Sequence, residues 1–107
     1  MVLPTLYIEA TWKLNIGGKI LRVNYEILNI LYHMEAWSKI VAATQKEIIA
    51  ALAGEKVLFT EKTIYLHLRE LIRLGYVKYG IMKLNAKTYY VSAKGLEWME
   101  EMEKKDF

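Results

Sequence analysis

The stretch TIYLHLRELIRLGYVKYG, residues 63–80, decides the fold. Ile64, Leu68 and Leu71 recur at i, i+4 and i+7, the spacing of a helix that buries a single stripe. Thr60 stands where an N-cap belongs, and Gly75 where a left-handed C-terminal stop belongs. The pattern predicts a helix from about Glu61 to Leu74, running into a strand from Tyr76. Its outer side is chemically mixed, because His67, Arg69 and Arg73 share it with Tyr65 and Leu66. A face of this kind serves either solvent or a negatively charged partner, and the choice depends on what surrounds it.

Outward from that helix, the charge is unevenly placed. Residues 60–91 hold six basic side chains (Lys62, Arg69, Arg73, Lys78, Lys83, Lys87) against Glu61 and Glu70, while residues 92–107 hold three against five. The positive field therefore belongs to one helix and the segment after it, which favours a polyanion as partner. At 107 residues the chain is one domain, and its 54% apolar content is enough to fold. With no cysteine, disulfides and thiolate metal sites are excluded. Apolar runs are too short for a membrane span, and the start lacks a signal-peptide layout, so a soluble cytoplasmic protein is expected. Abundant Ile, Lys, Glu and Tyr with a single proline point toward a hot-living source.

Upstream, residues 6–16 alternate between apolar and polar, the period of a half-buried strand. Gly17-Gly18 fits a tight turn that sets Leu14 opposite Leu21 and Trp12 opposite Val23. An N-terminal hairpin over 6–23 is the expectation, with a short helix starting at Pro4 as the alternative. Asn24 is placed as the cap of a first helix carrying Ile27, Leu31 and Met34, broadened by Leu28 and Ile30. Ser38–Ala42 reads as a bend or one short strand. Thr44-Gln45-Lys46-Glu47 is a capping box that opens a second helix, Gln45 to about Ala53, closed by Gly54.

Downstream, Tyr76–Met82 and Lys87–Val91 read as strands around a polar tip, Lys83-Leu84-Asn85-Ala86. Ser92 caps a last helix with Leu96, Met99, Trp98 and Met102 inward. The expected class is α+β: three core helices, a β-hairpin wing, the N-terminal hairpin and a C-terminal helix. Its divisions are 1–23, 24–91 and 92–107.

Three motifs in this order carry a resemblance. TQKEIIAAL (44–52) resembles a support helix, KTIYLHLRELIRLGYV (62–77) a recognition helix, and YYVSAKGLEWMEEM (89–102) a wing-to-helix junction with a Ser-x-Lys-Gly signature. Over about residues 24–104 the chain resembles the winged helix-turn-helix proteins, and within them the PadR-like and MarR-like transcription regulators. It departs from their pattern in the longer link Ala53–Thr60 and in the N-terminal alternation.

The resemblance implies a homodimer that binds double-stranded DNA, with helix 61–74 in the major groove and wing 76–91 on the adjacent groove or backbone. With Ile64, Leu68 and Leu71 inward, Lys62, Thr63, Tyr65, Leu66 and Arg69 face outward near the N-terminal half, and Arg73 lies at the edge. Lys62 and Arg69 suit phosphates or guanine edges, Thr63 and Tyr65 bases or backbone, and Leu66 a thymine methyl. Lys83, Asn85 and Lys87 supply the wing, and Gln45 and Lys46 complete the expected DNA-binding set. The homodimer interface is expected on the hairpin 6–23, the helix 93–104, or both.

Other readings stay open. The Tyr65/Leu66 face suits a protein-interaction module in a larger assembly, and a DNA partition or architectural role is also compatible. Tyr76, Tyr79, Tyr89 and Tyr90 are expected to pack in the strands; Trp12, Trp37 and Trp98 are core aromatics or else line an effector pocket. An enzyme is not expected. His33 and His67 lie on different helices and read as surface or capping groups, and no metal or other cofactor is implied.

Overall fold

The computed structural model describes residues 16–105, with side chains from Arg22 onward. Its elements run α1 (Ile16–His33), β1 (Ala43–Thr44), α2 (Gln45–Gly54), α3 (Glu61–Leu74), β2 (Val77–Tyr79), β3 (Thr88–Val91) and α4 (Ala93–Lys104). The three strands form one antiparallel sheet in the order β1-β3-β2. Val77 pairs with Val91 and Tyr79 with Tyr89, while Ala43 pairs with Tyr89 on the other side.

The core is where the helices' stripes meet. Ile27, Leu28 and Leu31 of α1, Ile48 and Leu52 of α2, and Ile64, Leu68 and Leu71 of α3 are buried together with Val77 and Val91. Fully burying side chains of this size contributes roughly 1.5–3 kcal/mol each, so the helix stripes outweigh any single polar contact in the molecule. The expected stripe of α3 is the observed one, and the cap and stop behave as the sequence requires. Thr60 Oγ1 accepts from the Thr63 amide at 3.1 Å. Gly75 sits at φ +83, and the Tyr76 amide reaches back to Leu71 O at 3.0 Å.

The upstream expectations fare differently. The hairpin over 6–23 is overturned where it can be compared, because α1 runs through Gly17-Gly18 and continues past Val23. Residues 6–15 lie outside the described residues. A glycine pair permits a turn without requiring one; within a helix each glycine costs about 1 kcal/mol relative to alanine. That cost is outweighed once Val23 joins Ile27 and Leu31 on the buried side. Asn24 accordingly does not cap a helix. It is buried in the middle of α1, and its Oδ1 accepts from His67 Nδ1 on α3 at 2.8 Å. His67, expected at the surface, is thus half-buried between two helices, whereas exposed His33 bonds only its own helix, at Asn29 O.

The capping box at Thr44 is present in both directions, with the Glu47 amide on Thr44 Oγ1 at 3.2 Å and the Thr44 amide on Glu47 Oε1 at 2.9 Å. Gly54 does not close α2; it is the last helical residue, and Lys56 takes the left-handed turn at φ +63 while the Val57 amide bonds Leu52 O. Val57 and Phe59 then pack on the core, which holds the long α2–α3 link down. Ser38–Ala42 is a bend, and the short strand follows it at Ala43–Thr44. The strand after Gly75 is shorter than expected. Gly80 still bonds Thr88 O, but the Ile81 amide turns to Lys39 O in the bend, at 3.0 Å.

Ser92 joins the wing to the last helix. Its hydroxyl accepts from the Gly95 amide at 3.1 Å and donates to Gly75 O at 2.6 Å. Here the Ser-x-Lys-Gly signature has a steric reason, because a Cβ on Gly95 would lie 2.3 Å from Tyr76 O and 2.9 Å from Val91 Cγ2. Met99 and Met102 are buried beyond it, and Trp98 stacks on Tyr76 at 5.4 Å between centroids. The Tyr25 hydroxyl donates to Glu103 at 2.8 Å, tying α1 to the far end of α4. Burial, and then that carboxylate, push the Tyr25 phenol up to about 12.

Two outcomes follow from this packing. Gly95→Ala should destabilise the fold by about 1–3 kcal/mol, the usual range for forced overpacking, measured as a lower urea midpoint at unchanged slope. Burial holds His67 below its ordinary 6.5, partly opposed by the Glu70 charge. The unfolded chain therefore takes up this proton first as pH falls through 6.5, and stability drops until the folded imidazole also charges. Between about pH 7.5 and 5.5 the melting temperature should fall more for the natural protein than for His67→Gln. Equal falls in thermal melts would contradict this assignment.

Candidate nucleic-acid interface

Because Ile64, Leu68 and Leu71 are all inward, the helical period turns Lys62, Tyr65, Leu66 and Arg69 outward, and all four are exposed. Tyr65 and Leu66 are 44% and 50% exposed, high for large apolar side chains on a core helix. The Arg69 guanidinium lies over the Tyr65 ring, 5.8 Å from its centroid. The pairing presents a flat cation on an aromatic support, a form suited to bidentate contact with phosphate or a guanine edge.

The wing carries a second such pair. Tyr79 and Tyr89 face each other across β2 and β3 with centroids 5.5 Å apart, and Lys87 Nζ lies 5.3 Å over Tyr79. Burial pushes the Tyr89 phenol up, and the nearby Tyr79 and Tyr65 hydroxyls push it further. Helix and wing thus each carry a cation over a phenol, Arg69 on Tyr65 and Lys87 on Tyr79, with Tyr89 packed against Tyr79. Tyr79, expected to pack in the strands, does so against Tyr89 and is also 45% exposed.

Other expected residues are engaged within the molecule. Gln45 Nε2 donates to Glu61 O at 2.9 Å, tying the start of α2 to the start of α3. Thr63 Oγ1 accepts from the Thr60 hydroxyl at 2.9 Å, so it is part of the cap. Arg73 makes a two-pronged pair with Glu70, with Nε to Oε1 at 3.1 Å, and its charge is offset there. Lys83 Nζ lies 3.2 Å from Glu47 Oε1. The Thr44 amide first, and Lys83 with it, hold the Glu47 carboxyl below its ordinary range. Lys83 thus links the wing to the capping box of α2, a positional role that its sequence did not announce. Lys46 and Asn85 are exposed, Asn85 at the turn of the tip.

Leu84 is the residue that the sequence reading passed over. It stands at the apex of the wing, 100% exposed and at φ +47. A leucine beside an asparagine in a two-residue turn was the available signal. Among the described residues no three His, Cys, Asp or Glu side chains gather as a metal site would need, and no helix is long and apolar enough to cross a membrane.

No protein-family model matches the sequence, and no curated protein matches it significantly. Among solved structures, the chain is similar to the X-ray structure of a PadR-like transcription factor from Bacteroides fragilis. The TM-score is 0.68 at 22% identity, over 83% of this chain and 84% of that one. At that identity the likeness speaks for the fold, and the architecture is that of a winged helix-turn-helix.

Proposed function

We propose that the protein is a DNA-binding regulator of transcription that grips double-stranded DNA with α3 and the wing. The observation that carries the reading is the pair of exposed cations laid over phenols, Arg69 on Tyr65 of α3 and Lys87 on Tyr79 of the wing. A 14-residue helix is about 21 Å long and fits the roughly 12 Å wide major groove. With α3 there, the wing lies over the neighbouring groove or backbone. Lys62 and Lys87 meet phosphates, Arg69 reads a base edge from its perch on Tyr65, and Leu66 meets a thymine methyl. Arg73 and Lys83 hold the scaffold's charges in place and contribute to the field at longer range.

A homodimer belongs to this reading, since regulators of this geometry bind half-sites one helical turn apart. The face left over by the helix-turn-helix is the groove between α1 and α4, about 600 Å³, lined by Asn29, Tyr32, Leu96, Met99 and the carboxylates of α4. The protein acts without catalysis of its own. A protein-docking role for α3 is the second reading, and the exposure of Tyr65 and Leu66 is the observation in its favour.

A mobility-shift titration on mixed duplex DNA at two salt concentrations separates the two readings. Binding should weaken steeply with salt, as counterion release requires. Arg69→Ala should weaken selected sites by about 1–3 kcal/mol and relax preference at one position. Lys87→Ala should weaken all sequences alike and flatten the salt slope. No binding at low salt would remove DNA as the partner, and identical behaviour of the two variants would remove the division of labour between helix and wing.

A further inference from the structure

The apex of the wing is built against its own local preferences. The Lys83 amide bonds Ala86 O at 3.0 Å and the Ala86 amide bonds Lys83 O at 2.8 Å, closing a two-residue turn. Both central residues lie at positive φ, Leu84 at +47 and Asn85 at +69. Such turns favour asparagine and glycine. Asn85 conforms, but an aliphatic residue in the left-handed region is uncommon. Leu84 is also fully exposed, so the folded domain gains no burial from it. Neither backbone nor packing accounts for a leucine there, and an outlier of this kind points to a task outside the fold.

The surroundings identify the task. Ile81 and Met82 are exposed lower on the same arm. Lys87 stands near its base over Tyr79, and Asn85 carries an amide that can both donate and accept. The arm is braced, because Lys83 is held by Glu47 and Thr88 Oγ1 donates to Ile81 O at 2.8 Å. The minor groove, about 6 Å wide, is too narrow for a two-stranded arm, so the apex side chain is the part of the wing that reaches into it. A leucine at that point has no hydrogen bond to offer a base edge. What it can do is slip between two base pairs, as apolar wedges in the minor groove do, while flanking cations hold the phosphates.

We propose that Leu84 is such a wedge: it enters the minor groove, partly unstacks one base step and bends the duplex. The proposal rests on the DNA-binding reading and adds to it a deformation of the bound DNA. Flexible pyrimidine–purine steps should be preferred under the wing, at positions where no base edge is read.

The test uses duplexes of about 30 base pairs, selected by the full-length protein from a random pool. Each carries a donor and an acceptor dye at its ends and 2-aminopurine at successive steps. The natural protein should raise end-to-end energy transfer and brighten 2-aminopurine at one step. Leu84→Asn keeps a residue that favours positive φ, so the turn survives, as circular dichroism checks. It should lose both signals while affinity changes on the order of tenfold or less, since lost burial and spared unstacking oppose each other. Binding without bending by the natural protein overturns the wedge and leaves DNA binding standing. So does unchanged bending by Leu84→Asn, or a Leu84→Asn effect confined to self-association in sedimentation, which would assign the apex to protein contact. Absence of any bound duplex at low salt removes the DNA reading and the wedge together.

Discussion

Ile64, Leu68 and Leu71 have no exposed surface, and their burial fixes the rotation of α3 about its own axis. Each is anchored against residues of α1 and α2 that are themselves fully buried, so turning the helix by one position would put three aliphatic side chains in water at once. With that rotation set, Lys62, Tyr65, Leu66 and Arg69 face outward without any further device. The exposed face is a by-product of the buried one. Its chemistry is free to vary, and here it is basic, aromatic and apolar within a span of eight residues.

What the buried stripe does not set is the position of the wing, and polar contacts do that. The Val91 amide bonds Ala36 O behind α1, Ile81 bonds Lys39 O, and Ser92 bonds Gly75 O at the end of α3. Lys83 adds a salt bridge to the capping box of α2. An exposed ion pair of this kind contributes little to stability, on the order of 1 kcal/mol or less, but it restricts where the arm can point. Because Tyr79 and Lys87 ride on that arm, the distance between the helix cations and the wing cations is set by backbone hydrogen bonds rather than by side-chain chance.

Much of this was legible in the sequence where local chemistry and tertiary packing agree. Thr60, Gly75, Thr44 with Glu47, and Ser92 with Gly95 are short-range signals, and each terminates or opens a helix where expected. Gly17-Gly18 and Asn24 were misleading for the same underlying reason. Their local preference for turns and caps is worth about 1 kcal/mol, which the continued burial of α1 exceeds. At the candidate site, the outward residues of α3 followed from its period. Their partners did not, because the pairing of Lys83 with Glu47 and of His67 with Asn24 spans residues far apart in the chain. No period or motif encodes contacts at that separation.

The central claim is that one contiguous surface, running from the start of α3 to the wing, meets DNA. Amide chemical-shift mapping of the isotope-labelled protein titrated with duplex DNA at low salt tests it most directly. The account predicts the largest shifts at residues 62–69 and 79–87, with the outer face of α4 unaffected. Shifts centred on α4 and the α1 groove, with α3 silent, would contradict it.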